Sequence, residues 1–284
     1  MKKPKIFHED EDFSSEEEFL AHYDPNEFER LSLTADIAIF SVSDRKDANY
    51  RKSTHKNFSI LLVKRQTYPF MDKWCLPGGF IQMGEDLDTA ARRILRQETN
   101  VKDIYLEQLY TFSNPQRDPR MRIISSAHLA LIDKNLLTYR LNNETAWFDL
   151  SITEDTHTIT IHFTHPSEHF TVVLEKVTSL YGRTQYKVVS NDRLAFDHAE
   201  IIAMGINRLK NKIEYTDIVF HMMPKYFTLG ELQRVYETIL NRKLLDPAFR
   251  RMIANRVIKT DQVKKGGGHR PSALYQYKGE ITND

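Results

Sequence analysis

Residues 33–42 run Leu-Thr-Ala-Asp-Ile-Ala-Ile-Phe-Ser-Val, and residues 58–65, Phe-Ser-Ile-Leu-Leu-Val-Lys-Arg, repeat the theme after a polar stretch. Short apolar runs rich in β-branched residues and bounded by polar loops predict strands. A Pro77-Gly78-Gly79 break follows, and then a helical pattern from 86 to about 99. Further strands are predicted at 104–112 and 121–132. Strands around one early helix predict a mixed α/β domain. From 157 the period falls to two: Ile159, Ile161 and Phe163, then Phe170, Val172 and Leu174, alternate with polar residues, and residues 186–189 return after a turn. This predicts a short β-meander, inserted over 157–190.

Helical patterns resume at 197–212, 215–223, 228–240 and 247–255. Thr228 with Glu231 three residues on forms a capping-box pattern, and Asp246-Pro247 reads as an N-cap with proline at the first helical position. Short strands at 257–259 and 273–277 flank a Gly-rich basic tip over 264–271. Helix, turn, helix, hairpin is the order of an α+β winged helix-turn-helix. The expected organisation is a lead-in over 1–30 with one short helix capped by Ser15, an α/β domain over 31–195, and the winged helix over 196–284.

Composition narrows the class. With 40% hydrophobic and 11% aromatic residues the chain can fill a core, which excludes global disorder. No apolar run approaches the ~20 residues that span a bilayer, and the acidic start lacks the apolar stretch of a secretory signal. The single cysteine, Cys75, excludes an internal disulfide, so a reduced, cytoplasmic protein is expected. The net charge of +1 names no partner, but the charges are segregated. Residues 1–30 hold ten acids against four bases, whereas residues 241–278 hold ten bases against two acids. A basic terminal segment points toward nucleic acid. His157, His162, His165 and His169 invite a metal reading, but no acid or cysteine joins them at ligand spacing, and they read as strand-surface histidines.

The chemistry concentrates after the glycine break. Gly79, Glu85, Arg93, Leu95, Glu98 and Val101 fall on a spaced pattern that resembles the Nudix box: a glycine, a glutamate six residues on, then arginine-glutamate-apolar-any-glutamate-glutamate-any-glycine-apolar. The preceding Trp74-Cys75-Leu76-Pro77-Gly78-Gly79 is similar to that family's approach loop. The resemblance implies a Nudix α/β/α sandwich with a mixed sheet. It also implies a helix face whose carboxylates hold Mg²⁺ against a diphosphate. Here Ile94, Gln97 and Asn100 replace glutamate, glutamate and glycine. Positions 94, 97 and 98 share one helix face, so Glu98 is the single carboxylate left for a metal. Catalysis is expected to be weak or absent, with Mg²⁺ required only if residual hydrolysis remains and no other cofactor expected. Glu85 can still order the loop.

A binding pocket can outlast the chemistry. Arg117 and Arg120, in the loop 114–120, supply guanidiniums suited to a diphosphate. Phe80 can stack on a base, and Arg65 ends the second strand. As alternatives these are solvated loop arginines and a packed phenylalanine.

A degenerate Nudix domain followed by a winged helix resembles the NrtR-like transcriptional regulators. Residues 34–37, 117–120, 146–148, 194–198, 227–233, 249–251 and 268–271 extend the resemblance over most of the chain. It implies a homodimeric, cytoplasmic regulator that binds operator DNA and senses a nucleotide-sugar metabolite, ADP-ribose first. The reading helix would carry Arg250 and Arg251 near its N-terminal end. Arg256 and the wing residues Lys264, Lys265, His269 and Arg270 would complete the basic surface. Asp197-His198 reads as an inter-domain hydrogen-bonding pair. Two other readings stay open: an active Nudix hydrolase cleaving ADP-ribose-type substrates, and a sugar-responsive regulator.

Overall fold

The computed structural model describes residues 15–24, 26, 29–44, 56–101, 104–134, 144–178, 182, 184–264 and 271–279. Its organising element is strand β1 (Ser32–Asp44), which has almost no solvent face. Ala35, Ile37 and Ile39 enter one core; Ala38, Phe40 and Val42 enter another on the opposite side. A strand covered on both faces reads as a near-continuous apolar run. β2 (Lys56–Lys64) pairs antiparallel along one edge of β1 and β6 (Ile123–Leu131) pairs parallel along the other, so the sheet is mixed. β5 (Tyr105–Phe112) closes the β6 side. Two short strands, β3 (Trp74–Cys75) and β4 (Gly78–Phe80), pair with β2 and β1.

On the other side of β2 the chain adds β7 (Thr145–Glu154), β8 (Thr158–His165), β9 (Glu168–Thr178) and β10 (Thr184–Ser190), each antiparallel to the one before. The alternating residues zip together: Ile159 faces Leu174, Ile161 faces Val172, and Phe163 stacks on Phe170 at 4.6 Å. The expected meander therefore extends the main sheet rather than standing apart from it. β7, which no strand pattern announces in the sequence, joins them by pairing with β2 on one side and β8 on the other.

Helix α1 (Glu16–His22) begins at Ser15, whose Oγ accepts the Glu18 N–H, and buries nothing. α2 (Leu87–Thr99) starts at Asp86, whose carboxylate accepts the Thr89 N–H at 2.7 Å, and ends at Asn100 in the left-handed region. Its Ala91, Ile94 and Leu95 cover the Ile37 face of the sheet. α3 (His198–Lys212) covers the Phe40 face with Ala199, Ile202, Ala203 and Ile206. A Cβ at Gly205 would lie 3.0 Å from the Phe40 ring, so glycine lets the helix approach β1 closely. This is the expected α/β/α sandwich. α3, expected to open the C-terminal domain, packs on the sheet because its apolar face matches that of β1.

The helix–helix–hairpin unit comprises a 3-10 helix (Ile218–Met222), α4 (Leu229–Leu240), α5 (Asp246–Ile253), β11 (Val257–Lys264) and β12 (Ser272–Tyr277). Both halves of the Thr228–Glu231 capping box form at α4. The cap of α5 is Leu245 rather than Asp246, whose carboxylate instead accepts from Gln233 Nε2 at 2.9 Å and ties α5 to α4. β11 runs beyond the expected 257–259 through a bulge between Lys259 and Val263. Phe227 bridges to Tyr275, and Tyr236 meets Phe249 edge-on at 5.5 Å in the centre of this unit. Among the described residues no helix is long and apolar enough to cross a membrane.

Candidate ligand pocket and nucleic-acid interface

The pocket is built on one acid in an apolar strand. Asp36 of β1 lies opposite Gly78 of β4, where a Cβ would come within 2.1 Å of Asp36 Oδ1. Only glycine leaves room for the carboxylate. Ser125 Oγ donates to Asp36 Oδ2 at 2.5 Å and Arg117 donates to the same oxygen at 3.3 Å. Arg117 also forks onto Asp197, with Nε to Oδ2 at 2.8 Å and Nη2 to Oδ1 at 2.7 Å. Its side chain is 3% exposed. Burial works against the guanidinium charge, but Asp197 and Asp36 outweigh it and hold the pKa above the ordinary value. His198 follows. Its Nδ1 accepts the Leu76 N–H at 2.8 Å, which places the ring proton on Nε2, 3.7 Å from Asp36 Oδ1. Burial depresses its pKa, so the ring is neutral.

Above this floor opens a cavity of about 210 Å³. Arg120 is pinned by Asp118 through Nε and Nη2, and its guanidinium lies 5.6 Å from the Phe80 ring and 5.9 Å from the Phe196 ring. Arg65 donates Nε to the Pro69 carbonyl and sits 4.9 Å over Phe196. Phe80 is half-exposed at the rim. Arg65, Phe80, Arg117 and Arg120 therefore do converge. Arg117 departs from expectation. It is not a solvated loop arginine awaiting a diphosphate but a buried cation already matched by two carboxylates. Asp197 and His198, expected to make an inter-domain hydrogen bond, instead bond Arg117 and the Leu76 N–H within the sandwich. Phe196 was missed as a pocket wall; its φ of 53° is rare for a bulky residue.

The residues of the box do not fit Mg²⁺. Arg93 grips Glu85 through Nε and Nη2, and Gln82 N–H adds a third bond to the carboxylate, so Glu85 fastens the loop. Arg93 holds its pKa below the usual range. Ile94 is 4% exposed, and its Cδ1 lies where a Cβ on Gly79 would touch it at 3.6 Å. Gln97 is exposed. Glu98 is half-buried, bonded by Thr145, with burial raising its pKa and so disfavouring the charged form a metal needs. Among the described residues no three His, Cys, Asp or Glu side chains cluster to hold a metal.

On the basic surface Arg250 and Arg251 are exposed and make no ion pair with the described residues, but they occupy the last turn of α5 rather than its start. Arg256 is not a free DNA contact. It donates to the Thr216 carbonyl at 3.0 Å and the Glu214 carbonyl at 3.2 Å, and its Nε lies 3.5 Å from Asp217. Lys264 pairs with Glu231, the capping-box acid of α4. Lys265, His269 and Arg270 lie outside the described residues.

A Nudix sandwich with a degenerate metal face, joined to a winged helix-turn-helix, defines a DNA-binding regulator built on a hydrolase fold. Residues 219–277 match the model of the NrtR DNA-binding winged helix domain, and residues 47–167 match that of the NUDIX domain. Over 269 residues the chain is 33% identical to the ADPR responsive transcriptional repressor NtrR of Acinetobacter baylyi, covering 93% of this chain and 89% of that protein. A MutT/nudix family protein from Enterococcus faecalis superposes with a TM-score of 0.68 at 27% identity, over 93% of this chain and 94% of that one. Shewanella oneidensis NrtR, solved with a 27mer DNA, gives 0.62 at 26% identity over 87% and 93%. The chain belongs to the NrtR family of Nudix-related transcriptional regulators.

Two predictions follow from the site's packing. Ile94→Glu buries a carboxylate in the core under α2 and should destabilise the protein by about 3–5 kcal/mol. Gln97→Glu, exposed, should stay within about 0.5 kcal/mol. Urea unfolding with a Mg²⁺ titration checks both; a double variant of wild-type stability with raised Mg²⁺ affinity would overturn this placement of the helix.

Glu200 supplies the second. Burial, with the nearby Asp197 charge, raises its pKa from 4.5 to about 7. Between those values the folded chain holds a proton that the unfolded chain has released, so its contribution to stability falls as pH rises from 4.5 to 7 and is level above. Glu200→Gln should therefore gain thermal stability relative to wild type across that window. Parallel Tm–pH curves would refute it.

Proposed function

We infer that this protein is an ADP-ribose-responsive repressor that reads operator DNA as a homodimer in the cytoplasm and does not turn its ligand over. The observation that carries this reading is the coexistence of an arginine-lined, aromatic cradle with a box helix whose metal positions are filled by Ile94 and Gln97. Arg65 and Arg120 provide positive charge for a diphosphate, and Phe80 and Phe196 provide faces for a base. The A. baylyi relative is named for its response to the same ligand. A neutral sugar would bring no counter-charge to Arg65, whose Nε donates to a backbone carbonyl, so the nucleotide-sugar reading stands above the carbohydrate one. Retained hydrolysis would need carboxylates that the helix lacks. Two-fold symmetry matches paired half-sites about one helical turn apart.

The reading is tested with a duplex selected from a random pool and a scrambled control. ADP-ribose should weaken binding to the selected duplex by roughly 5-fold or more and be recovered intact, with turnover well below about 1 s⁻¹ in Mg²⁺. Arg250→Ala or Arg251→Ala should cost roughly 1–3 kcal/mol per lost base contact on the selected duplex only. Equal, strongly salt-dependent binding to both duplexes leaves only a basic surface. Turnover of about 1 s⁻¹ or more restores the hydrolase reading.

A further inference from the structure

Arg256 has the composition of a DNA contact and the geometry of an anchor. It leaves the end of α5 at the start of the wing, and its guanidinium caps the turn that follows α3: the Glu214 and Thr216 carbonyls and the Asp217 carboxylate all face it. Three neighbours reinforce the joint. Tyr277 Oη on β12 donates to the other Asp217 oxygen at 2.8 Å, Lys278 N–H donates to the Arg256 carbonyl at 2.8 Å, and Arg242, just past α4, pairs with Glu214 at 2.6 Å. The exit from the reading helix, the second wing strand and the turn after α4 are thus all fastened to one turn.

That turn belongs to α3, because Thr216 N–H and Oγ1 both donate to the Lys212 carbonyl. The opposite end of the same helix is the wall of the ligand pocket. Phe196 stands between Arg65 and Arg120, and Asp197 is held by Arg117. The fifteen residues of α3 span about 22 Å at about 1.5 Å per residue. Phe196 carries its ring in a left-handed backbone conformation, a strain that surrounding structure must hold in place and that ligand clamps often store. Where α3 crosses β1, Gly205 faces Phe40 and Ala38 and lets the helix lie close against the sheet.

We propose that α3 is the mechanical link between ligand and DNA: occupancy of the pocket is read by Phe196 at the corner before its first turn and delivered through the Arg256–Asp217 joint to α5 and the wing. Arg256 is a positioning residue of the DNA-reading unit, remote from the pocket and acting through α3. The proposal deepens the ADP-ribose reading and rests on it. It requires two sites, a shared element touched by both, and a coupling factor that is the same in either direction.

The experiment measures that factor in the full-length protein. ADP-ribose affinity is determined by calorimetry with and without a selected duplex, and duplex affinity with and without ADP-ribose, for wild type, Arg256→Ala and Tyr277→Phe. Wild type should couple by roughly 5-fold or more. In Arg256→Ala the affinity for ADP-ribose alone should match wild type, and the coupling should fall to within about 2-fold of none. Tyr277→Phe, which removes one hydroxyl from the same joint, should reduce the coupling in the same direction and supplies the answer if Arg256→Ala does not fold. If Arg256 instead touches phosphate, Arg256→Ala weakens duplex binding equally with and without ADP-ribose, flattens the salt dependence, and keeps wild-type coupling. That result overturns the link and leaves the functional reading intact. A wild-type chain that does not bind ADP-ribose overturns the reading and the link together.

Discussion

A guanidinium buried between two carboxylates fixes the relation of everything else in the ligand-binding half. Arg117 joins Asp36 in the central strand to Asp197 at the start of α3. Taking such charges out of water is costly, and only good geometry with further hydrogen bonds offsets it. The surrounding structure meets that demand in detail: Ser125 bonds Asp36, Gly78 leaves space for its carboxylate, and Asp197 receives a two-point fork. This cluster joins the loop before β6, the central strand and the start of α3. Phe196 is then placed in the pocket as the neighbour of Asp197.

The same region shows what has become of the metal-binding face of the box helix. In a catalytic helix of this kind the exposed face is given to metal ligands. Here Ile94 turns into the core beneath Gly79, Glu85 is absorbed by Arg93, and Glu98 is bonded by Thr145. Each former or possible ligand is used to hold the helix and its loop in place. The groups that line the cavity come from elsewhere, from the ends of β2 and β4, the loop 114–120 and the corner before α3. Losing the metal face therefore leaves the cradle standing.

Much of this was legible in the sequence where the determinants are local. The two-sided burial of β1 shows in its apolar run, the period-two alternation of residues 159–174 specifies the register of β8 and β9, and the Thr228–Glu231 spacing announces the start of α4. The positions that escaped are those whose partners are distant in the chain. Arg117 sits in a Pro-, Asn- and Asp-rich loop that reads as solvated, and its carboxylates lie about 80 residues away in either direction. The one local clue was Asp36, an acid inside an apolar strand. Arg256 likewise reads as part of a basic run, and its true partners include two backbone carbonyls, which no residue pattern marks. Asp246 satisfies a cap rule, yet Gln233 across the helix pair claims it.

The most direct test of Arg117 as a structural tie, rather than a ligand contact, is the unfolding free energy of Arg117→Ala in urea at neutral pH, measured without ligand. Removing the cation leaves Asp36 and Asp197 buried and unpaired, and the account predicts a loss of about 3–5 kcal/mol. Stability within about 0.5 kcal/mol of wild type, with only ADP-ribose affinity reduced, is what a solvated ligand arginine would give, and it would contradict the account.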